Sequence, residues 1–140
     1  MTYSWKLPTP GDIVWCCFPF LPDLQPGPKP RPALVIQIDT RFDGHVVTVV
    51  YGTSQGVSRL HSGQMAITQH QHSAAFALAG LSYDTKFDFK RKMMLPWSER
   101  YVKVPPRSPH GQSPKLGTLH PSLMHAAEMA FRSAKAKLTR

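Results

Sequence analysis

Arg31 stands between Pro30 and Pro32, immediately ahead of the aliphatic run at 33–38. The next apolar run, at 45–53, ends on Thr53 followed by Ser54. A guanidinium can donate two parallel hydrogen bonds to one phosphate, and it stays charged at any working pH. It can therefore stabilise a phosphorane whose negative charge grows in a transition state. A threonine or serine hydroxyl beside it can donate to a phosphate oxygen or to a leaving group. The same residues have a plain alternative: Arg31 neutralises a nearby aspartate at a strand end, and Thr53 is a good strand former. Residue types alone leave both readings open.

The two segments must pair for this chemistry to exist. "RPALVIQID" (31–39) and "HVVTVVYGT" (45–53) are the two strongest strand patterns, and "TRFDG" between them carries an Asp-Gly hairpin signal. A five-residue loop would set Asp39 against His45, so that paired positions sum to 84. Leu34, Ile36 and Ile38 then face Val50, Thr48 and Val46 on a core face, and Arg31 faces Thr53 on the other. Facing side chains lie roughly 4.5–5.5 Å apart at Cβ. A two-residue Asp-Gly turn would instead pair 42 with 45 and split Arg31 from Thr53. The first register separates apolar from polar faces better and is the expectation.

Around the hairpin, the spacing predicts an arm over 1–10, a strand over 11–18 and a proline-stiffened loop over 19–30. A weak strand at 63–68 and a short helix or turn at 72–80, closed by Gly80, come next. One or two strands are expected over 84–96. Residues 104–119, rich in Pro, Gly, Ser and His, read as a linker. A helix from about Pro121 carries the stripe Leu123, Ala127, Ala130, Phe131, Ala134 and Leu138, which reads as a docking face. The fold class is mainly β (α+β), a strongly bent antiparallel sheet or half-open barrel with a C-terminal helix. Gly52, next to Thr53, is expected to loosen its strand.

The chain has 140 residues, enough for one domain with a real core, and a formal charge of +9 with pI near 10. That balance points to a polyanion, with nucleic acid first, although a basic protein can be merely soluble. No segment is apolar enough over the length needed to span a bilayer, and no signal peptide is evident. Cys16 and Cys17 are adjacent, so in a strand they point to opposite faces and do not bond each other. Both read as small buried hydrophobes in a reducing compartment. "HQH" (70–72) lacks a third ligand at a known spacing, so no metal site is expected. His61 or His45 could act as a general base, but His45 falls at the far end of the strand pair from Arg31. Trp15, Tyr51 and Phe87 could stack on bases or fill the core. Lys86, Lys90, Arg91 and Lys92 read as a basic face that aids RNA binding without reading its sequence.

"GDIVWCCFPF", "KPRPALVIQID" and "VVTVVYGTSQ", in that order and spacing, resemble the MazF/PemK toxins of bacterial toxin–antitoxin systems. The similarity is good over 10–55, weaker over 80–96, and the chain runs on past the family's usual endpoint through a linker and a helix. The resemblance implies an SH3-like barrel, placed here over 1–103; the residues beyond it read as a linker at 104–119 and a helix at 120–140 packed on the same domain. It implies a cytoplasmic, homodimeric endoribonuclease that cuts single-stranded RNA with no metal or other cofactor. Carried over by motif, Arg31 and Thr53 are the catalytic pair, and Lys29, Ser54, Gln55 and Lys86 are expected to contact RNA. The first loop, here 19–30, covers the RNA groove. The expected partners are RNA and a cognate antitoxin, with DNA reached only through the antitoxin and no membrane. The competing reading is a non-catalytic SH3-like module that binds RNA or protein with the same groove.

Overall fold

The computed structural model of the chain describes residues 5–19, 25–41, 43–107 and 109–136. Its strands are β1 (Asp12–Cys16), β2 (Arg31–Arg41), β3 (Gly44–Thr53), β4 (Gln64–Ile67), β5 (Thr85–Pro96) and β6 (Lys115–Thr118). A short helix α1 (Ser73–Leu78) precedes β5, and a 3-10 turn (Pro121–Leu123) leads into α2 (Met124–Ala136). The strands form one antiparallel sheet in the order β4-β5-β3-β2-β1-β6. This is the expected mainly β, bent sheet with a C-terminal helix, and it is compatible with an SH3-like barrel.

β2 and β3 meet as expected near the site and differently near the turn. Ala33, Leu34 and Val35 face Tyr51, Val50 and Val49, which is the register that sums to 84. The register then shifts by one residue between Val35 and Gln37, and the hairpin closes with Arg41 opposite Gly44. The paired ends are therefore separated by only two positions in the chain, whereas a five-residue loop was expected over 40–44. Ile36 no longer faces Thr48, and Ile38 faces Val47 instead of Val46. An extra residue in one strand reverses the facing of everything beyond it, because side chains alternate with a period of two. Ile36 accordingly packs with Leu34 and Val50, and Ile38 with Val35, Val47 and Val49 on the opposite face.

Both faces of the sheet are covered, whereas one core face had been expected. Ile13, Leu34, Val50, Phe87 and Phe89 lie beneath α1 and α2, against Phe76, Leu123, Ala130 and Ala134. Val14, Cys16, Val35, Val47 and Val49 lie beneath Phe18, Leu95, Tyr101 and Val102. Runs such as 33–36 and 49–51, apolar at successive positions, are what a strand buried on both faces requires. The predicted helical stripe does dock: Leu123, Ala130 and Ala134 are buried, Ala127 and Phe131 half-buried. Leu138 lies outside the described residues.

The stretch 104–119 is not a linker. It contains β6, which pairs with β1, and Lys115 forms an ion pair with Asp12 at 3.5 Å. Pro114 and Tyr101 accept backbone hydrogen bonds from Trp15 and Cys17, at 2.9 and 2.7 Å. β6 also abuts the end of α1, backbone against backbone. A Cβ on Gly80 would collide with the Leu116 carbonyl, and one on Gly117 with the Leu78 carbonyl. Gly80 closes α1 as expected, at φ +70°.

Candidate active site

Arg31 opens β2 and pairs with Cys16 of β1, while Trp15 pairs with Pro32. The flanking prolines hold the backbone on either side, so the start of β2 is rigid before any tertiary contact forms. Thr53 closes β3 opposite Lys86 of β5, two residues beyond the Ala33–Tyr51 pair. Arg31 and Thr53 line one cavity of about 790 Å³. The two residues thus reach one cavity, although the β2–β3 ladder starts at Ala33–Tyr51, short of the facing Arg31–Thr53 pair that was expected.

Gly52 has the opposite role from the one expected. A Cβ there would collide with the Pro32 carbonyl oxygen and come 2.8 Å from Phe87 Cε1. The missing side chain lets β2 and β5 close on β3 just where Thr53 is presented. Gly52 thus tightens the strand end.

Thr53 is buried, and its Oγ1 accepts a hydrogen bond from the Gln55 backbone N–H at 3.1 Å. With that lone pair occupied, the hydroxyl proton is left to be donated, which suits an anionic ligand. Arg31 is half-buried and has no ion pair among the described residues. The aspartate-neutralising reading of Arg31 has no counterpart among the described residues.

Of the residues expected to contact RNA, Lys29 and Ser54 line the cavity, whereas Gln55 and Lys86 do not. Gln55 serves through its backbone N–H. Lys86 is 9% exposed, and its ammonium donates to the Arg59 carbonyl at 3.2 Å. It therefore tethers the turn that follows Thr53 instead of contributing to a free basic face. Lys90, Arg91 and Lys92 are exposed, as expected. Arg91 lies over the Tyr51 ring at 3.7 Å. Tyr51 and Phe87 are core residues, and of the three aromatics weighed only Trp15 lines the cavity.

Three cations, Lys29, Arg31 and Arg107, line this space, together with the hydroxyls of Thr53, Ser54, Ser82 and Thr85. No carboxylate and no histidine is among the described lining residues. Sequence reading missed Arg107 and Tyr83. The available signal for Arg107 was "PPRSP" at 105–109, a second arginine close to prolines, which was set aside as linker. Of the loop at 19–30, Lys29 and Pro30 reach the cavity, and 20–24 lie outside the described residues.

The other reactive side chains are occupied elsewhere. His72 Nδ1 accepts from the Thr68 N–H at 3.1 Å, and no metal-binding cluster occurs among the described residues. His45 lies at the far end of β3, its Nδ1 3.2 Å from Thr40 Oγ1. Cys16 and Cys17 are free and buried. Burial, and then the neighbouring Cys17, push the Cys16 thiol up to about 12. Burial also raises Cys17, against the opposing charge of Lys103. Both remain thiols at neutral pH and are poor nucleophiles.

Comparison with known proteins agrees with this geometry. The family described as PemK-like, MazF-like toxin of type II toxin–antitoxin system matches residues 9–134. The match runs through α2, so the segment beyond 96 falls within the family pattern and is not an added tail. No curated protein matches significantly. Among solved structures, an endoribonuclease in complex with its cognate antitoxin from Mycobacterial species superposes with a TM-score of 0.58. The match has 17% identity and covers 93% of this chain and 96% of that one, a likeness of fold.

Proposed function

The chain belongs to the PemK-like, MazF-like toxins of type II toxin–antitoxin systems, and from that premise we propose that it is an endoribonuclease cutting single-stranded RNA without a metal ion. The observation that carries this reading is the single cavity that joins Arg31 and Thr53, lined by cations and hydroxyls and, among its described residues, by no acid. A fixed guanidinium in a cleft with no competing carboxylate is a phosphate site. The reaction is attack of a ribose 2′-hydroxyl on the adjacent phosphate, which breaks the bond to the 5′ oxygen. It leaves a cyclic phosphate and a free 5′-hydroxyl.

Arg31 stabilises the phosphorane by charge and by paired hydrogen bonds. A guanidinium holds its proton at any working pH and is a poor base. The 2′-hydroxyl proton passes to water or a phosphate oxygen. Thr53, with its acceptor side occupied by Gln55, donates to the phosphate or to the departing 5′ oxygen. Lys29 and Ser54 flank the strand of RNA. The active protein is a cytoplasmic homodimer, on the model of family members that pair their barrels, and its partner is a cognate antitoxin. Two free, buried cysteines suit a reducing compartment.

The test is digestion of a diverse single-stranded RNA pool in EDTA, with sedimentation of the same sample. Cyclic-phosphate ends and a dimer are expected. A strict need for a divalent ion contradicts the chemistry, and a monomer at tens of micromolar contradicts the assembly. RNA that is bound but never cut assigns the cavity to a binding module instead.

A further inference from the structure

We propose that Tyr83 and Arg107 form a second nucleotide subsite beside the reacting phosphate, with a base stacked on the Tyr83 ring and a flanking phosphate held by Arg107. This rests on the reading of the cavity as an RNA-cutting site. At about 790 Å³ the cavity lies toward the upper end of the roughly 300–1,000 Å³ range of ligand clefts, so it has room beyond one phosphate.

Tyr83 is 74% exposed, the most exposed large apolar side chain among the described residues. A lone exposed aromatic is ordinary on a protein surface. This one borders the cationic cavity, and its backbone is anchored on both sides. The Thr85 hydroxyl donates to the Tyr83 carbonyl at 2.8 Å, and the Asp84 carboxylate accepts the Gln69 N–H at 2.8 Å. Leu81, two residues before, is buried in the core. The loop is therefore fixed while its ring stands open to solvent. A stacking platform needs that combination, because little freedom remains to be lost on binding.

Arg107 enters from the opposite chain segment. It is exposed and has no ion pair among the described residues. Pro105, Pro106 and Pro109 line the cavity beside it, as Pro30 and Pro32 do beside Arg31. Two arginines framed by prolines thus line one cleft that has no acid among its described lining residues. Successive phosphates of one strand are a ligand that two such cations can hold, and an exposed aromatic lining the same cavity suits a nucleobase.

The experiment is binding of a short, randomised, single-stranded 2′-O-methyl RNA, which lacks the attacking hydroxyl, followed by fluorescence anisotropy across a salt series. Stacking contributes about 1–3 kcal/mol per base, so Tyr83→Ala should bind roughly 5- to 150-fold more weakly. Tyr83→Leu, which keeps apolar bulk without the ring face, should be similarly weak. Tyr83→Phe and Tyr83→Trp should bind like the wild type. Arg107→Ala should flatten the slope of log affinity against log salt by about 0.7, the share of one phosphate on a single strand, and Arg107→Lys should restore it. Melting temperatures should be unchanged, as both side chains are exposed. Wild-type binding with Tyr83→Ala and Arg107→Ala indistinguishable from it overturns the subsite alone. Equal loss in Tyr83→Phe and Tyr83→Ala overturns the stacking role. A wild type that binds no RNA overturns the subsite and the proposed function together.

Discussion

The meeting of Arg31 and Thr53 at one cavity was legible because each belongs to a short motif with a chemical reason behind it. A proline-framed guanidinium and a strand-end hydroxyl are visible one residue at a time. Gly52 and Lys86 were misread because their roles depend on what lies across the sheet. Nothing in "YGTS" shows that the Pro32 carbonyl and the Phe87 ring close over Gly52. Nothing near Lys86 shows that its ammonium reaches Arg59, 27 positions away in the chain. Gly52→Ala therefore makes a sharp test at this scale. The added methyl must displace backbone, and overpacking of a tight core costs about 1–3 kcal/mol. A fall in melting temperature of several degrees is expected, with cleavage reduced beyond what instability explains, because Thr53 is the next residue. An unchanged melting temperature means that β2 and β5 do not close on β3 as described.

At the scale of elements, the hairpin of β2 and β3 was readable from its two β-branched runs and the Asp-Gly between them, although its loop length was not. Its one-residue shift after Val35 was not, since a bulge leaves no mark in a pattern of period two until partners are known. The helix α2 was readable from its stripe. The segment before it was not, because proline, glycine and serine signal irregular chain and say nothing of whether that chain packs. Here it supplies β6, which covers the outer edge of β1, and one wall of the cavity with Pro105, Pro106 and Arg107. A chain ending at Lys103 would lose β6 and α2 and would uncover Leu34, Phe89 and Ile13, which pack beneath them. That truncation should abolish the cooperative thermal transition. A truncated chain that melts like the full protein would restore the linker reading of 104–119.

For the whole molecule, the +9 charge and a cavity with no acid among its described lining residues both fit the proposed phosphate site, long-range attraction feeding it. The charge was plain from composition, but the meeting of Lys29, Arg31 and Arg107 in one cleft became visible only with the fold, since Arg107 lies far along the chain from the other two. The central claim is that Arg31 stabilises the transition state while Thr53 donates beside it. The direct measurement is the single-turnover rate of RNA cleavage in EDTA, with melting temperature, for wild type, Arg31→Ala, Arg31→Lys and Thr53→Val. Lysine keeps the charge but lacks the planar fork, so it should rescue little. Both Arg31 variants should fall by about 10²- to 10³-fold, the scale of a lost oxyanion donor. Thr53→Val should cut slowly while still binding RNA, and all variants should melt within a few degrees of the wild type. Arg31 variants that cut at the wild-type rate, or that unfold, would contradict the account: the first moves the active site elsewhere, and the second makes Arg31 a structural residue.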